Sequence, residues 1–312
     1  MITARDLTRR FGRMTAVSGV SFEVGRGEVV GFIGPNGAGK TTTMRMLTGF
    51  LPATEGSCEV AGFDVFEDPM QVRRRVGYLP ETPPLYPELT IGRYLQFVAE
   101  IREVPRSARI GKVGEVMERV GLSGWEDRIL GSLSKGYRQR VGLAQSIIHD
   151  PEVLILDEPT SGLDPRQVVG IREFIRGLAE DRTVILSTHI LSEVERLCER
   201  ALVIDGGKLI AADTLSGLKS GVGGGVRYRV ELSDPAGSPE QIPVQVGGLD
   251  VVSQVTPLDP DGAFAVMDVR AEEDPRTEIA RLATDKHWQV RAMERHEPSL
   301  EEAFLGAVGD ER

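Results

Sequence analysis

The pattern G-x-x-x-x-G-K-T begins at Gly34 and predicts a phosphate-binding loop between a strand and a helix. An apolar run, 29–33, precedes the loop, and a helix-like stretch, 42–47, follows it. Small residues in such a loop allow successive backbone N–H groups and the helix N-terminus to face an anion. We expect Lys40 to reach the β- and γ-phosphates of a nucleotide and the Thr41 hydroxyl to coordinate magnesium. A glycine-rich turn before an ordinary helix is the alternative. The whole segment is Gly34-Pro35-Asn36-Gly37-Ala38-Gly39-Lys40-Thr41-Thr42.

Two carboxylates follow the apolar run 153–156, which has the composition of a buried strand. Ligand sites in open α/β sheets lie at the carboxyl ends of strands. We therefore expect Asp157 to hold magnesium, directly or through water. We expect Glu158 to act as the general base that polarises the attacking water. A strand followed by two acidic residues is common in proteins, so this pair is informative only together with the other segments.

Two further segments place polar groups beside regular elements. Residues 133–140 read Leu-Ser-Lys-Gly-Tyr-Arg-Gln-Arg and precede an apolar helical stretch. Ser134 is a suitable helix N-cap, and Gly136 permits a close approach to the backbone. His189 follows the β-branched run 183–186, and beside a phosphate loop we expect it to contact the γ-phosphate. An ordinary capped helix and a structural histidine are the alternatives.

Taken in this order, the segments resemble the ATP-binding cassette (ABC) ATPases over residues 2–218. The run 161–164, Ser-Gly-Leu-Asp, matches the D-loop of that family, and Phe11 lies where the family places an aromatic ring against adenine. An aromatic plug at the end of the first strand is the alternative for Phe11. The resemblance implies an α/β P-loop NTPase (RecA-like) core with an inserted helical subdomain. It also implies that ATP and Mg²⁺ are bound and that ATP is hydrolysed.

The resemblance further implies a head-to-tail pair of subunits. ATP is then held between the phosphate loop of one copy and Ser134, Lys135 and Gly136 of the other, with the D-loop residue Asp164 also at the nucleotide. The N-terminus of the helix after Ser134 points at the γ-phosphate across the interface. Because one chain carries one complete set of motifs, a homodimer has two identical sites.

Two positions depart from the pattern of the family. The usual signature Leu-Ser-Gly-Gly-Gln reads Leu-Ser-Lys-Gly-Tyr at 133–137, and Lys135 either adds positive charge near the anion or is solvated. The strand 76–79 leads to Glu81, where the family has a glutamine that touches magnesium and the attacking water. Glu81 is nearly isosteric but anionic. We therefore expect a stronger metal ligand that repels the γ-phosphate unless the metal lies between them.

These departures make the chain similar to exporter ATPases of the drug, polysaccharide, gliding-motility and copper-processing branch, which work with separately encoded membrane permeases. An importer subunit, or a soluble ATPase acting on a non-transport partner, is the alternative. We expect motion to pass to the permease through the loop after Glu81, near Leu85, Tyr86 and Leu89. The other role open to these residues is to cap the helical subdomain.

Composition limits the partners and the compartment. The formal net charge of −10 argues against non-specific nucleic-acid binding, so we expect no nucleic-acid partner. Cys58 and Cys198 show no pairing or metal spacing, which fits a reducing cytoplasm. No run approaches the roughly 18 apolar residues of a membrane-spanning helix, so a transport pore must be another polypeptide. We expect a peripheral protein at the cytoplasmic face of the cell membrane.

The glycine-rich segment 221–225 predicts a flexible joint between two domains. The first, 1–220, contains the motifs and a helical subdomain at about 83–149. The second, 221–312, shows strand and helix patterns in the order βαββαβ and a final helix that begins at Ser299. We expect a small α+β accessory domain that either stabilises the dimer or binds a regulator.

Overall fold

The computed structural model describes residues 1–179, 181–221, 226–235, 237, 239–296 and 299–309. The chain divides into two compact units, Met1–Leu215 and Ser216–Arg312, and each has its own apolar core. The expected joint lies just beyond this division, and its residues 222–225 are outside the described part. Among the described residues, no helix combines the length and the apolar character needed to cross a bilayer.

The strands of the first unit build two sheets. In chain order they are β1 (Ile2–Phe11), β2 (Met14–Val24), β3 (Val29–Ile33), β4 (Glu55–Val60), β5 (Phe63–Asp64), β6 (Val76–Leu79), β7 (Val153–Asp157), β8 (Thr183–Thr188), β9 (Arg200–Asp205) and β10 (Lys208–Thr214). The smaller sheet is antiparallel in the order β2-β1-β4-β5.

The larger, six-stranded sheet has the order β10-β9-β3-β8-β7-β6 and determines where the site lies. Its strands from β9 to β6 run parallel, and β10 at the edge is antiparallel to β9. β7 and β8 are buried along their whole length, as expected for strands covered on both faces. The parallel register brings the carboxyl ends of β3, β7 and β8 to one edge, with Asp157 opposite Ser187 and Ile33 opposite Thr188.

Helices surround this sheet, and the segment between β6 and β7 is helical, as predicted. Thr90 caps its first helix by accepting a hydrogen bond from the Arg93 N–H at 3.3 Å. Ile91, Leu95 and Val98 follow at helical spacing and are buried. The helices of the unit are α1 (Lys40–Leu47), α2 (Pro69–Arg75), α3 (Ile91–Ile101), α4 (Arg109–Arg119), α5 (Lys135–Ile147), α6 (Pro165–Ala179) and α7 (Leu191–Leu197).

The second unit is a small α+β domain, which confirms the predicted fold class. Its sheet is antiparallel in the order β12-β13-β11-β14, the ferredoxin-like arrangement of a βαββαβ chain. Ser299 caps the final helix, because its Oγ accepts a hydrogen bond from the Glu302 N–H at 3.2 Å. The elements from the division onward are α8 (Leu215–Gly221), β11 (Val226–Ser233), α9 (Ile242–Val246), β12 (Val252–Pro257), β13 (Ala265–Ala271), α10 (Arg276–Asp285), β14 (Gln289–His296) and α11 (Leu300–Gly309).

Candidate functional site

The glycine-rich loop joins β3 to α1, and its glycines are required by the backbone path. Gly37 and Gly39 have φ of 82° and 106°, in the left-handed region that other residues avoid. A Cβ atom on Gly34 would lie 2.2 Å from the Ile204 carbonyl oxygen. The loop therefore turns sharply from the sheet into the N-terminus of α1, where free N–H groups favour an anion.

Lys40 is the first residue of α1 and is almost fully buried. Its Nζ atom donates hydrogen bonds to the carbonyl oxygens of Gly34 at 2.8 Å and Pro35 at 3.2 Å, so the side chain folds back over its own loop. The same atom lies 3.4 Å from Glu158 Oε1. This carboxylate offsets the cost of burying the ammonium group, and both groups face the space above the loop.

Asp157 ends β7 and is fully buried. Its Oδ1 atom accepts a hydrogen bond from the Ser187 hydroxyl on the neighbouring strand. Burial raises the pKa of the Asp157 carboxyl above its ordinary value; hydrogen bonds from Ser187 and Thr41 oppose that shift, and the charges of Glu158 and Glu81 add to it. All four residues therefore act on the charge of this one carboxyl group.

This carboxyl group and its neighbours fit a magnesium ion. Asp157 Oδ2 is buried and has no hydrogen-bond partner in the described part of the chain. An orphaned carboxylate oxygen is costly unless a cation or water satisfies it. The hydroxyl of Thr41 lies beside the same group, and no cluster of three or more histidine, cysteine or acidic ligands exists among the described residues. Magnesium typically takes one or two carboxylates, waters and phosphate oxygens, which suits so sparse a donor set.

Glu158 connects the predicted catalytic residues. Its Oε2 atom lies 2.8 Å from His189 Nδ1, and its Oε1 atom faces the Lys40 ammonium. Its backbone has φ of 48°, a strained conformation for a glutamate, and its N–H donates to the Ser187 carbonyl oxygen at 3.0 Å. Strain of this kind persists only where the surrounding structure holds it, and it is concentrated at functional sites. The carboxylate is thus fixed between the loop lysine and the histidine at the end of β8.

An open cavity of about 600 Å³ lies over these groups, within the size range of ligand pockets. Phe11 stands at its rim, 43% exposed, and the Arg9 guanidinium lies 4.7 Å from the ring centroid. One face of the ring is thus held by a cation. The residues that line the cavity are Phe11, Met14, Ala16, Asn36, Gly37, Gly39, Lys40, Thr41, Thr42, Glu81, Glu158, Ser161 and His189.

Comparisons with known proteins show which protein family this chain belongs to. The ABC transporter family model matches residues 17–161. The linearmycin resistance ATP-binding protein of Bacillus subtilis (strain 168) is 32% identical, over 99% of this chain and 98% of that protein. The chain belongs to the ABC transporter family. The daunorubicin resistance ATP-binding protein of Streptomyces coeruleorubidus is 36% identical, over 99% of this chain and 95% of that protein.

A solved structure of an ATP-binding subunit of an ABC transporter superposes with a TM-score of 0.65 at 30% identity, over 70% of this chain and 92% of that one. The predicted P-loop NTPase fold and the assignment as an ABC ATPase are therefore confirmed.

The ABC signature segment lies outside the cavity, at the N-terminus of α5. Ser134 occupies the N-cap position, but its hydroxyl makes no capping hydrogen bond. A Cβ atom on Gly136 would lie 2.2 Å from Gln167 Oε1, so this glycine is required by a close approach. Lys135 is exposed. A Cβ atom added to Gly162 would lie only 2.4 Å from the Lys135 Nζ atom. Its side chain thus rests on the D-loop segment of its own subunit.

The tyrosine that replaces the signature glutamine packs within the subunit. The Tyr137 ring lies 4.2 Å from the Trp125 ring between centroids, and the Arg128 guanidinium lies 4.3 Å from the Trp125 centroid.

The D-loop residue Asp164 also has a local partner, because its Oδ1 accepts a hydrogen bond from the Gln167 N–H at 3.0 Å at the start of α6. Its predicted role at the nucleotide stays a prediction.

Sequence reasoning missed several residues at the site. Met14 and Ala16 line the cavity because β1 and β2 form a hairpin in which Phe11 pairs with Met14. Ser187 lies just beyond the run 183–186 and is not singled out by the sequence, although its hydroxyl holds Asp157. The signal available for it was a polar residue directly after the apolar residues 184–186 and before Thr188.

Proposed function

We propose that this ABC protein is the ATP-hydrolysing subunit of an exporter and works with a separately encoded membrane permease. The observation that carries the proposal is the Glu158 carboxylate held between Lys40 and His189 at the phosphate loop. Full-length similarity to two proteins named for antibiotic resistance supports export, since an ATP-binding protein can confer resistance by powering removal of the compound. A peripheral position at the cytoplasmic face of the cell membrane follows from this role.

The predicted site residues have distinct tasks in this proposal. The loop amides and Lys40 bind the β- and γ-phosphates, and the Phe11 ring stacks on adenine. Glu158 accepts the proton of the attacking water, while His189 orients Glu158 and contacts the γ-phosphate. Thr41, Asp157 and Glu81 would hold Mg²⁺, which neutralises charge on the phosphate oxygens when bound.

A second copy of the chain completes the site. Ser134 and Gly136 lie at a helix N-terminus outside the cavity, and the Ser134 hydroxyl makes no capping bond. A helix N-terminus of this kind suits the γ-phosphate of a nucleotide bound to the other subunit. ATP then favours the closed pair because it contacts both copies only in that state.

A second groove, of about 470 Å³, is the proposed docking surface for the permease. Tyr86, Phe97 and Ile101 line it and are 48%, 41% and 59% exposed. The Tyr86 ring packs edge-on against Phe97 at 5.8 Å between centroids, so it covers part of the helical subdomain while leaving apolar surface in contact with solvent. Arg45 and Arg102 also line the groove, which favours a docking segment that carries an acidic residue.

The test is the substitution Glu158→Gln, which keeps the shape of the side chain and removes the base. Hydrolysis should fall by about 10²- to 10⁴-fold, the usual contribution of a general base. With Mg²⁺ and ATP, the variant should accumulate as a dimer because the bound nucleotide is no longer consumed. Phosphate release and size-exclusion chromatography measure the two effects. Unchanged turnover would rule out Glu158 as the base.

A further inference from the structure

A buried carboxylate outside the cavity is hydrogen-bonded to residues close in sequence to Glu158 and His189. Glu193, on α7, is 1% exposed. Its Oε2 atom accepts hydrogen bonds from Thr160 Oγ1 at 2.7 Å and from Thr188 Oγ1 at 3.5 Å. Its Oε1 atom faces the Arg172 guanidinium at 3.7 Å. A buried carboxylate is costly unless it is paired and hydrogen-bonded, and here the partners come from three different segments of the chain.

The two threonines are directly connected to the catalytic pair. Thr160 belongs to the turn that Glu158 opens, because the Ser161 N–H donates to the Glu158 carbonyl oxygen at 3.1 Å. Thr188 immediately precedes His189, and its Oγ1 accepts a hydrogen bond from the Ile190 N–H at 3.0 Å. One carboxylate oxygen therefore joins the two loops that carry the Glu158–His189 hydrogen bond.

The connection through Glu193 matters because the backbone of Glu158 is in a conformation that a glutamate does not favour. A glutamate with φ of 48° relaxes unless the residues around it hold it in place. The turn 158–163 is held at its start by bonds to Ser187 and further on by the Thr160 hydroxyl. The ion pair with Arg172 extends the same connection to α6, which follows the D-loop.

We propose that Glu193 is a positioning residue for hydrolysis. It acts through Thr160 and Thr188 to keep the Glu158 carboxylate and the His189 ring in register over the phosphate loop. It touches neither the cavity nor the nucleotide site, so nucleotide binding does not depend on it. The inference rests on the proposed roles of Glu158 and His189 in the preceding section.

The experiment compares ATP hydrolysis by the purified full chain and its variants Glu193→Gln, Thr160→Val and the double substitution. In each single variant, kcat should fall by about 10- to 100-fold, the effect of misplacing a catalytic group. The KM for ATP and the Kd of a fluorescent ATP analogue should stay unchanged. The double variant should be no slower than the slower single one, because both changes cut the same connection. Glu195→Gln, an exposed position on the same helix, is the matched control and should leave kcat unchanged.

Three results overturn the proposal: unchanged kcat in both single variants, losses that multiply in the double variant, or weakened nucleotide binding in step with kcat. The last result, together with a lower unfolding temperature, assigns Glu193 a purely structural role. Glu158→Gln is measured in parallel to separate the two proposals. Turnover retained in that variant contradicts the proposed function, whereas turnover lost there and normal in Glu193→Gln contradicts only the role of Glu193.

Discussion

The Asp157 carboxyl lies fully buried at the end of β7, in a position set by the sheet rather than by its own solvation. Burial raises its pKa above the unfolded value. A carboxyl group of this kind binds protons more tightly in the folded chain, so stability falls as pH rises through the folded pKa. The ionised group thus destabilises the nucleotide-free protein, and a bound cation removes that cost.

Asp157→Asn should therefore stabilise the nucleotide-free protein while abolishing hydrolysis of Mg·ATP. Thermal unfolding of the first unit without nucleotide or magnesium measures the first effect, at about 2–4 °C for each kcal/mol regained in a unit the size of residues 1–215. The gain over the parent chain should be largest near neutral pH and shrink as the pH falls towards the ordinary aspartate pKa. A variant that unfolds at lower temperature at neutral pH would contradict this account.

Phe11 is a second residue whose contribution can be isolated. Its ring has one face near Arg9, and its exposure leaves surface for a base to stack. Phe11→Ala should weaken ATP binding by about 5- to 150-fold, the range expected for one base–aromatic stack. Phe11→Tyr keeps the ring and serves as the control. Titration with a fluorescent ATP analogue measures both, and equal affinity for the alanine variant would assign the ring to the end of the hairpin alone.

At the scale of elements, the sequence predicted features that depend on one segment alone. It did not predict contacts between segments. β3 matches its apolar run at both ends, and α6 begins at Pro165, which suits the first helical turn. The sequence patterns predict no element within 190–221, although this segment contains α7, β9, β10 and α8. α7 spans seven residues and has no side-chain cap, so it carries little helix signal.

The same distinction between local motifs and contacts across the chain applies to the site. Lys40 and Glu158 were predicted because each belongs to a short, local sequence motif. The hydrogen bond from Ser187 to Asp157 joins residues 30 positions apart and depends on the register of β7 against β8. The strained backbone of Glu158 has no sequence signature at all, because the surrounding turn imposes it.

The loop after β6 carries the prediction that belongs to this scale. Tyr86→Asp places a charge in the proposed docking groove, so co-purification with the permease should be lost while the free chain still hydrolyses ATP. Ile110→Asp is the matched control, because Ile110 is 78% exposed on α4 and does not line the groove. Tandem affinity purification of the co-expressed pair measures the complex. An intact complex in Tyr86→Asp would reject the docking role.

For the whole molecule, the division into two units places the described nucleotide cavity in the first of them. Each contact described at the nucleotide cavity lies within residues 1–215. The second unit has its own core, built on the alternating inward residues Tyr228, Val230 and Leu232. Both full-length relatives extend over 99% of the chain, so they share this unit, whereas the solved subunit covers 70%. We propose that this unit stabilises the pair of subunits, which is one of the two roles expected from the sequence.

A chain that ends after Gly221 tests this separation. It should bind a fluorescent ATP analogue with the affinity of the full chain, because the cavity and the first core are retained. In the Glu158→Gln background, its ATP-induced dimer should dissociate at higher protein concentration than the full-length dimer, because contacts from the second unit are lost. Analytical ultracentrifugation across a concentration series measures the difference. Equal dissociation constants would remove pairing as the role of the second unit, and weaker nucleotide binding would show that the two units share the site.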